Sequence, residues 1–190
     1  MSRNRRYPES TSGPFPAPPE TVEDETGRRI DIEAYNGQRE RLVEMYADFD
    51  PADRAQGIPP VGEDRIDTWL DALLDENCYN VIAKHGGDVI GHATLVGDDE
   101  GAYELAIFVL QDYQGVGIGE ELLERLLGFG QRQGITCVWL TVERWNRPAI
   151  NLYKKVGFET TDAQSFEHEM SIRLGGGSRS RDLDDSETER

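Results

Sequence analysis

Residues 112–119 read DYQGVGIG, and this stretch decides the fold. The apolar residues 106–109 precede it, and a segment with apolar residues at helical spacing follows it. Gly115, Gly117 and Gly119 occupy alternate positions, which lets the backbone turn sharply and approach a ligand closely. This order of strand, glycine loop and helix start predicts a phosphate-binding site. The N–H groups and the dipole at the start of a helix attract anions.

Two common nucleotide-binding motifs do not fit this loop. A Walker loop ends in Gly-Lys-Ser/Thr, whereas Gly119 is followed by Glu120 and Glu121. A dinucleotide fingerprint requires a third glycine three residues after the second, and neither glycine pair of the loop has one. The strands before the loop are also predicted to form hairpins, which is not how a doubly wound sheet begins.

A second motif lies further along the chain, after one predicted helix and one predicted strand. Residues 146–158 read NRPAINLYKKVGF and resemble the later motif of the GNAT superfamily of N-acetyltransferases, Asn-x-x-Ala-x-x-Leu-Tyr-x-x-x-Gly-Phe. The loop itself, Gln114-x-x-Gly117-x-Gly119, resembles the acyl-CoA pyrophosphate loop of the same superfamily, Gln/Arg-x-x-Gly-x-Gly/Ala. The two motifs stand in the expected order, and the resemblance covers about residues 30–174.

The resemblance implies a binding site for acetyl-CoA as co-substrate, without a metal. It implies that the loop amides bind the pyrophosphate, and that Asn146 both caps a helix and contacts the pantetheine arm. It also implies that a backbone N–H of strand 107–109 donates to the acetyl oxygen as that oxygen becomes negative. The cofactor-binding residues expected on this basis are Ile107, Phe108, Val109, Gln114, Gly115, Val116, Gly117, Ile118, Gly119, Glu120 and Asn146.

Acetyl transfer to an amine needs a proton donor for the leaving thiolate and a base for the amine. The resemblance places Tyr153 beside the cofactor sulfur, where its reference pKa of about 10 makes it a neutral donor; the alternative is a core aromatic. Some ribosomal-protein N-terminal acetyltransferases of the superfamily carry a Glu where this sequence has Thr141. Glu104, at the start of strand 103–109, is the remaining candidate base, with an exposed edge carboxylate as the alternative.

The segments around the motifs predict an α/β (α+β) fold: a GNAT-type mixed, mostly antiparallel sheet flanked by helices, with a β-α-β acyl-CoA-binding core. His92, in a predicted hairpin strand, is a weaker candidate for the acceptor cleft, and His85 and His168 are expected to be bystanders. Helices are predicted at 38–49, 64–75, 117–133 and 146–156, and strands at 29–34, 79–84, 88–96, 103–109, 136–142 and 166–174.

Composition divides the chain into three parts. Residues 1–27 hold five prolines among polar residues and predict a disordered polar N-terminal tail. Residues 28–174 form the predicted GNAT acetyltransferase domain. Residues 175–190, which begin GGGSRSR after Leu174, predict a flexible C-terminal tail.

The formal net charge is −17, with only three lysines. Acid excess with few lysines is typical of proteins from a high-salt cytoplasm, where about 1 M salt screens repulsion to within about 3 Å. The alternative is an ordinary acidic protein with charged tails. The charge argues against nucleic acid and anionic membranes as partners, and no apolar run is long enough to span a bilayer. We therefore expect a cytoplasmic, halophilic protein.

Two functions from different classes follow from the motifs. The first is an N-acetyltransferase that acts on an amine acceptor, either a protein lysine or a small molecule. The alternative is a non-catalytic acyl-CoA-binding sensor with the same loop and no turnover. Tyr153 favours the enzyme, because a sensor needs no proton donor. The sequence leaves open whether the chain forms a homodimer.

Overall fold

The protein is described by a computed structural model over residues 5–54, 58–163 and 166–176. The described strands are β1 (Glu20–Glu23), β2 (Arg29–Ala34), β3 (Cys78–His85), β4 (Asp88–Gly97), β5 (Tyr103–Val109), β6 (Cys137–Glu143), β7 (Glu159–Ala163) and β8 (Glu167–Arg173). The described α-helices are α1 (Arg39–Ala47), α2 (Glu63–Leu73), α3 (Ile118–Arg132) and α4 (Arg147–Val156). None of these helices combines the length and the apolar composition that crossing a bilayer requires.

The described strands form one sheet in the order β1-β2-β3-β4-β5-β6-β8-β7. Neighbouring strands pair antiparallel except β5 and β6, which run parallel and are connected through α3. The predicted fold class, a mixed and mostly antiparallel sheet with a β-α-β core, is confirmed. The β5–α3–β6 unit carries the glycine loop at the end of β5.

Helices cover both faces of the sheet. A Cβ added to Gly91 in β4 would lie 3.2 Å from Leu122 of α3, while the next residue, His92, bonds to Tyr46 of α1. Successive side chains of a strand point to opposite faces, so α1 and α3 lie on opposite sides of the sheet.

The predicted apolar face of α3 is fully buried, and burial of each leucine contributes about 1.5–3 kcal/mol. Its members are Ile118, Leu122, Leu123, Leu126 and Leu127.

The predicted N-terminal tail is wrong for residues 5–27, and we call residues 5–28 the N-terminal strap. The Ser171 hydroxyl donates to the Arg6 carbonyl at 2.8 Å, and the Phe15 N–H donates to the Gln131 side chain at 2.8 Å. A Cβ on Gly128 would collide with the Pro16 carbonyl oxygen, so α3 has a glycine where the strap crosses it. These contacts use backbone groups, which composition does not reveal. Residues 1–4 and 177–190 of the predicted tails lie outside the described residues.

Two edge strands were not predicted from the sequence. β1 pairs with β2, and β7 pairs with β8. Both are mostly exposed and lack the apolar alternation that identifies a half-buried strand. Their charged side chains are typical of sheet edges, where they discourage pairing with another chain.

A buried polar chain joins α1 to the sheet. The Tyr46 hydroxyl lies 2.6 Å from His92 Nδ1, and His92 Nε2 lies 2.8 Å from Asn80 Oδ1. Because the Asn80 oxygen can only accept, His92 donates from Nε2 and accepts the Tyr46 proton at Nδ1. Burial lowers the pKa of His92 to about 3. His92 is therefore a neutral core residue and does not line the acceptor cleft.

His92 should make stability depend on pH. The unfolded chain binds a proton at His92 near pH 6.5 and the folded chain only near 3, so stability is lost as pH falls through 6.5. Between about pH 7.5 and about pH 5.5 we expect a loss of roughly 1.4 kcal/mol in the free energy of unfolding, measured by urea denaturation. His92→Gln should remove this loss. His85→Gln, at the end of β3, is the matched control and should keep the pH dependence. An unchanged pH dependence in His92→Gln would assign the effect to another group.

Candidate active site

The site begins where β5 and β6 separate. The two strands pair only at Tyr103 with Val138 and at Glu104 with Trp139. Beyond these pairs β5 continues to Val109 and β6 to Glu143 without pairing to each other. The separation opens a cleft of about 930 Å³. Ile107, Phe108 and Val109, which the family resemblance assigns to the acetyl site, line this cleft.

The glycine loop forms one end of this cleft. Gly115 and Gly117 have φ values of +70° and +90°, which other residues rarely adopt. α3 begins at Ile118, and no side chain caps its start. The Glu120 and Glu121 N–H groups donate to the Gly117 carbonyl at 3.2 and 3.3 Å. Helix geometry leaves the N–H groups of Ile118 and Gly119 without an acceptor inside the helix, and Gly117 and Gly119 line the cleft. Uncapped amides at a helix start fit a phosphate, as predicted.

The loop is fixed by its own glutamine. Gln114 Nε2 donates to the Val109 carbonyl at 3.0 Å and to the Asp53 carboxylate at 2.9 Å. These bonds tie the loop to the end of β5 and to the 3₁₀ turn Pro51–Asp53. The side chains of two residues predicted to bind the cofactor do not line the cleft. Ile118 is buried in the core, so only its backbone can reach a ligand, and Val116 packs against the core rather than lining the cleft.

Glu120 does not face the cleft as an isolated negative charge. Lys155 Nζ of α4 lies 2.6 Å from Glu120 Oε2, and both side chains line the cleft. The sequence offered no basic residue within the loop, and Lys155 supplies that charge from a different helix. The pair is exposed on the lysine side, so its role is to compensate charge rather than to stabilise the fold.

The second motif brings Asn146 and Tyr153 to the same cleft. Asn146 Oδ1 accepts from the Ala149 N–H at 3.2 Å, which confirms its predicted capping of α4. The Tyr153 ring packs against Phe158 at 5.8 Å and is only 8% exposed, yet it lines the cleft. Burial raises the pKa of Tyr153 to about 12, so the hydroxyl keeps its proton at neutral pH. Tyr153 is thus both a core aromatic and a cleft residue.

Glu104 lines the cleft near the last β5–β6 pair. Glu104 is exposed to solvent, and partial burial of its carboxyl against neighbouring groups raises the pKa, while the charge of Arg5 lowers it and that of Asp98 raises it. Arg5 stacks on the Trp139 ring at 3.4 Å and pairs with Asp98 at 3.3 Å, which places a cation beside Glu104. A carboxylate with a raised pKa is suited to accept a proton.

Several residues of the cleft were missed from the sequence because they come from other elements. Thr141 and Glu143 project from β6, and Trp145 Nε1 donates to Glu143 at 2.9 Å. Glu25 reaches the cleft from the strap. Among the described residues, no cluster of three or more His, Cys, Asp and Glu side chains could hold a metal ion.

Residues 40–158 match the model of the acetyltransferase (GNAT) family. The chain belongs to the GNAT acetyltransferase family. The predicted family is confirmed, and this GNAT chain is an acyl-CoA-dependent N-acetyltransferase. Acetyl-CoA, the family's co-substrate, fits the uncapped start of α3 and the open edge of β5.

Individual relatives show how far this similarity extends. An uncharacterized N-acetyltransferase of Mycobacterium tuberculosis is 29% identical over 119 residues, which cover 57% of this GNAT chain and 76% of the relative. The L-methionine sulfoximine/L-methionine sulfone acetyltransferase of Pseudomonas aeruginosa is 28% identical over 107 residues, covering 53% of this chain and 62% of the relative.

Solved structures support the GNAT fold. The GNAT domain of S. lividans PAT superposes with a TM-score of 0.70 at 17% identity, covering 82% of this chain and 96% of that domain. The yncA acetyltransferase of Salmonella typhimurium with its cofactor acetyl-CoA gives a TM-score of 0.63 at 20% identity, covering 78% and 96%.

Gly119→Glu should abolish CoA binding and leave the fold intact. A Cβ at Gly119 would lie 3.4 Å from Leu152 Cδ2, an ordinary contact, whereas Gly117 has a positive φ that would add strain. The new carboxylate would fill the expected diphosphate position, so we expect at least a ~100-fold weaker affinity by calorimetry, about 2.7 kcal/mol. Gln133→Glu adds the same charge at the other end of α3 and should bind CoA normally. Retained affinity in Gly119→Glu would place the phosphates elsewhere.

Proposed function

We propose that this GNAT enzyme transfers the acetyl group of acetyl-CoA to the amine of a small molecule or a protein lysine. The observation that carries the proposal is the separation of β5 from β6, which joins the β5 edge, the glycine loop and Tyr153 in one cleft. A cleft of about 930 Å³ is large enough for a cofactor arm and an acceptor.

The cofactor is oriented by the two ends of the cleft. The diphosphate binds the first-turn amides of α3, and the pantetheine arm enters between β5 and β6 past Asn146. The thioester then lies along residues 107–109 of β5, where a backbone N–H stabilises the oxyanion. Alignment of donor and acceptor within about 3–3.5 Å supplies much of the rate enhancement.

Two side chains move the protons. Glu104 takes the proton of the attacking amine, either directly or through water, as the C–N bond forms. Collapse of the tetrahedral intermediate breaks the C–S bond, and Tyr153 protonates the departing thiolate. The high pKa of Tyr153 keeps its proton available until a basic thiolate appears beside it.

The lining of the cleft favours a cationic acceptor. Glu104, Glu143 and Asp53 line the cleft, and Phe49 and Trp145 add aromatic surface. Carboxylates and aromatic faces together attract ammonium groups. The Pseudomonas relative takes its name from an amino-acid analogue, which makes free amino acids a first class of acceptor to test.

A thiol-release assay with acetyl-CoA tests the function directly. The acceptors are methionine sulfoximine, other amino acids, polyamines, aminoglycosides and lysine peptides, in about 2 M KCl. Turnover with any of these amines supports the enzyme. Tight acetyl-CoA binding without turnover on every class would support the non-catalytic sensor instead.

Tyr153→Phe separates the enzyme from the sensor. The ring and its packing remain and only the hydroxyl is lost, so we expect kcat to fall by ~10²-fold or more with little change in the Kd for acetyl-CoA. Tyr35→Phe, outside the cleft, is the matched control and should leave both constants unchanged. A kcat near wild type in Tyr153→Phe would remove this residue from the mechanism and leave water as the proton source.

We also propose that the enzyme works in a high-salt cytoplasm. With a net charge of −17, the acidic side chains repel one another unless salt screens their charges. Circular dichroism and small-angle scattering should show a native, compact chain in about 2 M KCl and loss of compactness well below ~1 M. A melting curve at about 0.05 M KCl that matches the high-salt curve would contradict this proposal without affecting the acetyltransferase function.

A further inference from the structure

The end of the N-terminal strap lies against the glycine loop. The Glu25 N–H donates to the Val116 carbonyl at 3.1 Å, and Arg28 Nη1 donates to the Asp112 carbonyl at 3.1 Å. The Arg28 guanidinium also stacks over the Tyr113 ring at 4.3 Å. The strap therefore contacts the loop that we assign to the cofactor diphosphate at both of its sides.

The strap turn that carries Glu25 is held by Asp24. The Asp24 side chain is fully buried and accepts from the Thr26 N–H and the Arg28 N–H, each at 2.9 Å. It also accepts from Arg28 Nε at 2.6 Å. Burial would raise the pKa of Asp24, but these hydrogen bonds lower it well below its ordinary value. A turn fixed by this many bonds holds the Glu25 backbone in one place.

The Glu25 carboxylate points toward the start of α3. It lines the cleft together with Gly117 and Gly119, and a Cβ placed on Gly117 would lie 3.8 Å from its Oε1. Hydrogen bonding to Glu120 raises the pKa of Lys155, and the charge of Glu25 raises it further, so these three groups share one end of the cleft. An anion at a helix start is favourable, so the α3 dipole holds the carboxylate there.

We propose that Glu25 belongs to the acyl-CoA site and sets its affinity for the diphosphate. The carboxylate lies beside the anion-attracting start of α3, so bound CoA must move it aside or remain close to its negative charge. Removing the charge should tighten CoA binding. The inference rests on the proposed function, because it takes the glycine loop as the diphosphate site.

The test compares Glu25→Gln with wild type and with Glu23→Gln. Glu23 is an exposed carboxylate two residues earlier in β1 and does not line the cleft, so Glu23→Gln removes the same charge elsewhere on the strap. Calorimetry with CoA should be run at the lowest KCl concentration at which circular dichroism shows the native fold, and again at about 3 M. We expect Glu25→Gln to bind CoA about threefold or more tightly at the lower salt, with the difference shrinking at high salt.

A second ligand tests whether Glu25 acts on the diphosphate or on the ribose phosphate of CoA. Dephospho-CoA retains the diphosphate and lacks the ribose phosphate, so Glu25→Gln should gain affinity for both ligands equally. A gain confined to CoA would overturn the assignment to the diphosphate. Equal affinity of wild type and Glu25→Gln, or weaker binding in the variant, would overturn the inference while leaving the proposed function in place. Failure of all three proteins to bind CoA would instead contradict the proposed function.

Discussion

The early end of the β5–β6 ladder is the constraint on which the structure depends. Two residue pairs join these parallel strands, and then the strands diverge with their backbone groups facing each other across a cleft. Unpaired N–H and C=O groups are costly when buried without a partner, so this edge requires water or a ligand that can bond to it. The glycine loop, the start of α3 and the motif helix α4 all border the same opening, and a thioester with a polar pantetheine arm provides the groups that the edge lacks.

The parts of this arrangement that were predictable have strong local signals. β5, the loop and α3 follow one another without interruption. The helical spacing of the leucines in α3 can be recognised from the sequence alone. The predicted strands 29–34 and 103–109 coincide with β2 and β5. Asn146 and Tyr153 were placed by a motif confined to one helix and its flanks. Each of these features is specified by residues close together in the sequence. Periodicity therefore identifies the helix and the strands, and the resemblance to the GNAT motifs identifies the site residues.

The remaining features depend on contacts between distant residues. β1 and β7 are edge strands defined by backbone pairing, and their exposed side chains carry no apolar pattern. The ion pair between Glu120 and Lys155 was not predicted, because the two residues meet only when α3 and α4 pack together. The strap was predicted to be disordered since its prolines and acids resemble those of a flexible tail. Its position is set by carbonyls and by glycines of other elements, neither of which appears in its own composition.

The route of the strap also has a consequence for the order in which the protein can be completed. The Arg6 and Pro8 carbonyls accept hydrogen bonds from Ser171 and Arg173 of β8, 165 residues further along the chain. During translation the strap is made before β8. The strap must therefore wait, unattached at this end, until β8 is in place, and a chain interrupted before β8 lacks the contacts that fasten its own beginning. Closure of the domain is thus coupled to synthesis of its last strand.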